Sequence, residues 1–287
     1  MTSHHASQAV TPELRQWILE QSQAGHDPQA VLQAMQAAGW SAPVARQALD
    51  SVLQGQSPKD ERPAATAVTA RLPEPDLTGS PLYLDAGDRR VQVLQTMVSP
   101  RLVVFGDLLS DGECEEMIAL ARPRLARSLT VATRSGGEEI NADRTSNGMF
   151  FQRGENPLVT RIEARLARLL RWPVENGEGL QILHYQPGTE YKPHFDYFEP
   201  SEPGTPTILR RGGQRVATVV MYLCEPELGG GTTFPDVQLE VAPKRGNAVF
   251  FSYDRPHPLT RTLHGGAPVL AGEKWIATKW LREQRFE

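Results

Sequence analysis

Between residues 180 and 281 one pattern recurs: a short run rich in β-branched and aromatic residues, then glycine or proline, then another run. The runs read LQILHYQ, EYKPHFDY, RVATVVMYL, TTF, VQLEVA, GNAVFFSY, TRTLHG and KWIATKWL. Each has the length of a strand, and turn residues interrupt any longer helical register. Many short strands punctuated in this way fold as a sandwich or jelly roll, because a sheet must bury one face against another layer. Upstream, VQVLQTMV (residues 91–98) and RLVVF (residues 101–105) add two more strands. Two amphipathic helices are expected beside them. One follows Ser110, an N-cap type, and carries Cys114, Met117, Ile118 and Leu120. The other starts at Asn156 and Pro157 and repeats Leu158, Ile162, Leu166 and Leu170 every four residues. The expectation for residues 92–287 is a mainly β domain, a double-stranded β-helix or jelly roll, with these helices flanking it and closing its open edges.

The first 55 residues have a different texture. Thr11 with Pro12, Asp27 with Pro28, and Ser41 with Pro43 each place a capping residue just before a proline suited to a first helical turn. Gly39 stands where the second helix should stop. Leu14, Trp17 and Ile18, then Val31, Leu32 and Met35, then Val44, Leu49, Val52 and Leu53 supply three apolar stripes. The expectation is a small all-α, three-helix N-terminal domain over residues 1–55. With AGW at 38–40 and ARQAL at 45–49 it looks like a ubiquitin-associated-type module. Residues 56–91, with Pro58, Pro63, Pro73, Pro75 and Pro81, read as a linker. A formal charge of −4 argues against nucleic-acid binding, and no apolar run is long enough to cross a bilayer.

One run carries chemistry beyond packing. In YKPHFDY (residues 191–197), His194 and Asp196 stand two apart, and side chains at i and i+2 of a strand share a face. One imidazole and one carboxylate aimed at a common point make two-thirds of a 2-His-1-carboxylate set, the ligand arrangement of non-haem Fe(II) oxygenases. Such a tripeptide alone is more often a structural pair, so the reading needs a third ligand. His257 and His264 both follow it. His257 lies between Pro256 and Pro258, which favours a loop, whereas His264 ends the run TRTLH before Gly265 and Gly266. Ten residues further on, Lys274 opens KWIATKWL, and a hairpin of these two runs would bring His264 and Lys274 into one pocket. Period 2 puts Lys274, Ile276, Thr278 and Trp280 on one face, and Trp275, Ala277, Lys279 and Leu281 on the other. A lysine on an inward face needs an anion, and a dicarboxylate that also chelates the metal would supply it.

The stretch from about residue 91 to 281, roughly two-thirds of the chain, resembles the prolyl 4-hydroxylase family of Fe(II)/2-oxoglutarate-dependent dioxygenases. The resemblance is carried by RTSNGMFF (144–151), ENGEGLQILHYQPGTEYKPHFDYF (175–198), GGQRVATVVMYL (212–223), GGGTTFP (229–235), PKRGNAVFF (243–251) and LHGGAPVLAGEKWIATKWL (263–281). It implies hydroxylation of peptidyl proline at the 4-position, with 2-oxoglutarate and O2 as co-substrates and succinate and CO2 as products. It also implies L-ascorbate, to rescue iron oxidised in uncoupled turnovers. By the same resemblance His194, Asp196 and His264 match the iron ligands, and Lys274 the partner of the distal carboxylate of 2-oxoglutarate. Tyr185 and Thr278 match further contacts to that co-substrate. Tyr191, Arg215 and Trp280 match positions of the peptide-substrate groove.

The chain also departs from the family pattern. Ala267 stands where many relatives carry cysteine, and Cys114 and Cys224 are the only two thiols. That pattern fits a reducing compartment, so a cytoplasmic location is expected, with secretory-pathway collagen out of reach as substrate. The start, MTSHHASQAV, does not read as a secretory leader. Gly229, Gly230 and Gly231 read as a sharp turn before TTF, since no Lys-Ser/Thr and helix follow them as in a phosphate loop. A protein partner is expected for the N-terminal module, and a proline-containing peptide or protein as the substrate. Two rivals are the same chemistry on another residue or a free amino acid, and a non-catalytic module that senses iron and 2-oxoglutarate.

Overall fold

The computed structural model describes residues 14, 17–19, 21, 27–37, 40–53, 71–127, 129–131, 138–140 and 145–287. Thr11, Pro12, Gly39, residues 54–70 of the expected module and linker, and Arg144 lie outside the described residues. The chain divides into two compact units, Met1–Thr69 and Ala70–Glu287.

In the smaller unit, α1 (Pro28–Ala37) and α2 (Ala42–Leu53) are described, with helical backbone also at Leu14, residues 17–19 and Gln21. Asp27 caps α1, its Oδ1 accepting from Gln29 N at 2.7 Å. Leu14, Ile18, Val31, Met35, Ala45, Ala48 and Leu49 form one buried cluster, with Trp17 and Trp40 packed against it.

The larger unit opens with the meander β1 (Tyr83–Asp85), β2 (Arg90–Met97) and β3 (Arg101–Gly106), then α3 (Asp111–Ala121). β4 (Ala126–Arg127), the pair β5 (Leu129–Val131) and β6 (Glu138–Ile140), and β7 (Asn147–Phe151) lead to α4 (Pro157–Leu170). β8 (Leu180–Tyr185), β9 (Tyr191–His194), the short α5 (Thr205–Leu209) and β10 (Arg215–Cys224) follow. The chain closes with β11 (Leu228–Gly229), β12 (Thr232–Phe234), β13 (Leu239–Val241), β14 (Ala248–Ser252), β15 (His264–Gly266), β16 (Val269–Ala271) and β17 (Lys274–Arg282). Among the described residues, nine strands form one antiparallel sheet in the order β1-β2-β3-β14-β10-β17-β8-β7-β4. Four more form a smaller sheet in the order β13-β12-β15-β9. Among the described residues no helix is long and apolar enough to cross a membrane.

Strand alternation splits the large sheet into two buried faces. Ala217, Val219, Met221 and Leu223 of β10, with Trp275, Ala277 and Leu281 of β17, join Cys114, Met117, Leu158, Ile162 and Leu166 of the helices in one core. Val220 and Tyr222 of β10, with Ile276 of β17, turn the other way and pack with Phe234 and Val241 of the small sheet. Both faces are therefore covered, which is why RVATVVMYL and KWIATKWL read as almost unbroken buried runs. The helices cover a face of the sheet, where an edge-closing role was expected. Their apolar stripes need an apolar surface, and the outward side chains of β10, β14 and β17 provide one.

The helix starts follow local chemistry. Asn156 Oδ1 accepts from Val159 N at 2.9 Å, and Ser110 and Glu113 form a reciprocal capping box. Glu113 also receives a bidentate grip from the buried Arg165 of α4, at 2.7 and 2.8 Å, while Arg165 holds Asp88 at 2.7 and 3.0 Å. Burial alone raises the Glu113 pKa, but the hydrogen bonds from Arg165, Ser110 N and Arg161 outweigh it and bring it down to about 2. A depressed carboxyl contributes stability above its unfolded value and loses it as pH falls towards the folded one. Glu113→Gln should therefore cost about 3 kcal/mol in urea unfolding at pH 7. That gap should narrow as pH drops from 4.5 towards 2; an unchanged gap would contradict the assignment.

Candidate active site

Between the two sheets lies a cavity that opens to solvent. Its wall from the small sheet is set by register. β15 runs antiparallel to β9 with His264 directly opposite His194, and Gly266 opposite Tyr191. The close approach of the two strands requires Gly265, where an added Cβ would sit 2.9 Å from Tyr191 O. Gly229 and Gly230 (φ 78° and 75°) make the turn before β12, and a Cβ on Gly229 would collide with Pro268 O. The strand expected over TRTLH begins only at His264. Before it, Pro258–Thr260 form a 3-10 turn and Arg261 adopts the left-handed conformation. His257 caps that turn, its Nδ1 accepting from Leu259 N at 3.1 Å.

His194, Asp196 and His264 present one ligand atom each, all within 4.8 Å of one another. Asp196 Oδ1 is 3.6 Å from His194 Nε2, and its Oδ2 is 3.4 Å from His264 Nε2. Each imidazole is oriented in the same way: Nδ1 lies 2.9 Å from a backbone oxygen two residues earlier, Lys192 O for His194 and Thr262 O for His264. A carbonyl only accepts, so Nδ1 carries the proton and the Nε2 lone pair faces the cavity. Burial pushes the His264 pKa down to about 4, so this imidazole is neutral at physiological pH. For Asp196, burial acts upward, but the rings of His264 and His194 and the Arg215 guanidinium outweigh it and hold the carboxyl well below its usual range. Two imidazoles, each with Nδ1 turned to a backbone carbonyl, and one carboxylate, converging from one side, fit a divalent ion such as Fe(II).

The opposite wall is β17 and its neighbours in the large sheet. Lys274, Ile276, Thr278 and Trp280 all line the cavity, as their shared parity requires. The expected hairpin between the His264 and Lys274 runs does not form. β15 belongs to the small sheet and β17 to the large one, so the two side chains meet across the interior. Lys274 lies directly opposite Tyr185 on β8, its Nζ 5.2 Å from the centre of the tyrosine ring. The ammonium is buried, and among the described residues no carboxylate is within ion-pairing distance. A buried cation in that state calls for an anionic ligand.

Of the residues singled out from sequence, His194, Asp196, His264, Lys274, Tyr185, Thr278, Tyr191 and Trp280 line this one cavity. Tyr191 stacks on His194 with ring centroids 3.8 Å apart. Arg215 stands behind the cavity wall. It is buried, forms a bidentate pair with Glu178 at 2.7 and 2.9 Å, and lies over the Trp280 ring at 4.0 Å. Two polar lining residues carry no signal in the sequence pattern that sets them apart, Thr218 and Thr232. Thr232 Oγ1 accepts from Tyr222 Oη at 2.8 Å, which leaves its own hydroxyl proton free for a cavity ligand. Both place a hydroxyl at inward parity within an apolar strand.

Comparison with known proteins places these observations. Residues 180–282 match the family model of the 2OG-Fe(II) oxygenase superfamily. The chain is 40% identical over 222 residues to prolyl 4-hydroxylase 5 of Arabidopsis thaliana, covering 70% of this chain and 74% of that protein. It is 40% identical over 217 residues to the probable prolyl 4-hydroxylase 7 of the same plant, covering 68% and 67%. Among solved structures it is similar to the viral collagen prolyl hydroxylase of Paramecium bursaria Chlorella virus-1 in its 2OG complex. That match has 30% identity and a TM-score of 0.48, over 63% of this chain and 95% of that one.

Burial brings the Lys274 pKa down to about 8, against a weaker opposing pull from Glu240. A dicarboxylate pairs with the charged form, so its affinity should hold below that pH and fall about tenfold per unit above it. Calorimetric titration of 2-oxoglutarate across this range should trace that decline. Lys274→Met should bind weakly at every pH with no such profile; a flat curve for the wild type would contradict the role.

Proposed function

Since the chain belongs to the prolyl 4-hydroxylase family of 2OG-Fe(II) oxygenases, we propose that His194, Asp196 and His264 hold its iron and that Lys274 anchors its co-substrate. The activity is Fe(II)- and 2-oxoglutarate-dependent hydroxylation of proline, and the enzyme is a 2-oxoglutarate-dependent dioxygenase. The single observation that carries the residue assignment is one cavity holding three converging atoms able to ligate a metal and a buried ammonium with no carboxylate in ion-pairing distance among the described residues. When bound, the iron and 2-oxoglutarate supply the oxidative chemistry, in which O2 is consumed and the 2-oxo acid leaves as succinate and CO2.

The residues of the chain have separable tasks in this reading. The two imidazoles and Asp196 would hold the ion through three protein atoms. Lys274 neutralises the distal carboxylate of 2-oxoglutarate, with Thr278, Thr232 and the Tyr185 ring beside it. The apolar side chains of Leu183, Val220 and Ile276 exclude water from the wall between. We assign the acceptor as a peptidyl proline attacked at its 4-position. Support comes from Tyr191 and Trp280, on facing walls of the same cavity, aromatic surfaces suited to a proline ring. The Trp280 Nε1–H is buried without a hydrogen-bond partner among the described residues. Arg215 serves the groove indirectly, by supporting the Trp280 indole from behind.

We further propose L-ascorbate as the reductant that restores iron lost to oxidation, and a jelly roll as the description of the two facing sheets. A cytoplasmic location is supported by the two free cysteines, Cys114 and Cys224. The smaller unit is proposed to recruit a protein partner, which would raise the effective concentration of a tethered substrate.

The test is succinate release from 2-oxoglutarate with Fe(II), ascorbate and proline-containing peptides, run beside His194→Ala. The wild type should release succinate in step with a 16 Da gain on the peptide, and the variant should lose at least about a thousandfold in rate. Equal turnover by both proteins would remove His194 from the metal site.

A further inference from the structure

The two histidines do not decide which oxygen of Asp196 serves the metal. Oδ1 lies 3.6 Å from His194 Nε2 and Oδ2 lies 3.4 Å from His264 Nε2, so either oxygen, or both together, is within reach of a shared ion. A chain of two hydroxyls breaks this symmetry. Thr218 Oγ1 is 2.7 Å from Asp196 Oδ2, and Tyr253 Oη is 3.1 Å from Thr218 Oγ1. The proton order is dictated by chemistry. A carboxylate only accepts, so the single Thr218 proton goes to Oδ2; Tyr253 must then donate to Thr218. Thr218 is fully buried and Tyr253 is 2% exposed, so no solvent competes for these bonds. Burial, helped by the nearby Asp196 charge, keeps the Tyr253 pKa well above its ordinary value, so the phenol remains a donor.

We propose that Thr218 and Tyr253 are positioning residues that engage Oδ2 and restrict Asp196 to one ligand oxygen, Oδ1. Thr218 reaches this point because it shares the inward parity of Val220 and Tyr222 on β10, and Tyr253 because it follows β14, the neighbour of β10. The consequence is a reserved coordination position. A carboxylate free to bind through both oxygens would occupy a position needed by 2-oxoglutarate or O2. The inference rests on the assignment of Asp196 as a metal ligand.

The experiment uses the full-length protein and Co(II) as the probe, followed by calorimetry and by the visible spectrum, which reports coordination number. Thr218→Val keeps the shape and removes the hydroxyl; it should weaken Co(II) binding about 10–100-fold and alter the spectrum. Thr218→Ser keeps the hydroxyl and should match the wild type. Tyr253→Phe removes only the outer donor and should give a loss smaller than that of Thr218→Val. Wild-type affinity and spectrum in Thr218→Val would overturn the proposal, even if its metal-free melting temperature fell, because that pattern marks a packing role. If Thr218→Val does not fold, the other two variants decide. A Ser variant that loses affinity, or a Phe variant identical to wild type, would overturn it equally. A wild type whose Co(II) binding is indifferent to His194→Ala would instead remove the metal assignment beneath it.

Discussion

The site depends first on one cross-strand pairing. With His264 directly opposite His194, two imidazoles separated by 69 intervening residues meet on neighbouring strands, their ring centroids 4.5 Å apart. A slip of one residue would turn His264 to the other face of the small sheet and leave Asp196 with a single imidazole. The pairing is held by backbone features more than by the histidines themselves. Gly265 lets the strands close, the turn at Gly229 and Gly230 delivers β12 to the other side of β15, and Arg261 ends the turn that precedes it.

The large sheet answers with a second constraint. β10 and β17 are buried on both faces, and each face has its own task. Outward residues seat α3 and α4; inward residues line the cavity. Charges buried along this wall are paired in sequence beside His194, Asp196 and His264. Lys279 pairs with Glu163 of α4 and donates to Glu178 O; the Glu178 carboxylate grips Arg215; Arg215 Nη1 lies 3.4 Å from Asp196 O. Lys274 is the contrast. It lies on the same strand as Lys279 with the opposite parity, and among the described residues no carboxylate is within ion-pairing distance of it, which suits the proposed role in binding an anion.

Much of this is legible in the amino-acid sequence alone. The parity of KWIATKWL placed Lys274, Thr278 and Trp280 together, and HFD brought one histidine and one carboxylate to a point. Both are local inferences, resting on a period of two. What failed was non-local. Nothing in TRTLHGG says that β15 pairs with β9 rather than with the run that follows, so the expected hairpin to Lys274 was wrong. The strand itself started later than the alternation of TRTLH suggested, because the turn through Pro258 and the left-handed Arg261 takes precedence. Thr218 and Thr232 were hidden for a related reason: a threonine is an ordinary strand former, and only the cavity distinguishes an inward hydroxyl from an outward one. Arg215 illustrates the same limit, since its partner Glu178 sits 37 residues away, just before another strand.

The most direct measurement is a crystal structure of the protein with Fe(II) and 2-oxoglutarate under anaerobic conditions, with anomalous data at the iron edge. One strong anomalous peak is expected, bonded to His194 Nε2, an Asp196 oxygen and His264 Nε2. The distal carboxylate of 2-oxoglutarate is expected on Lys274 Nζ. An iron peak elsewhere, or a co-substrate whose carboxylate leaves Lys274 unpaired, would contradict it.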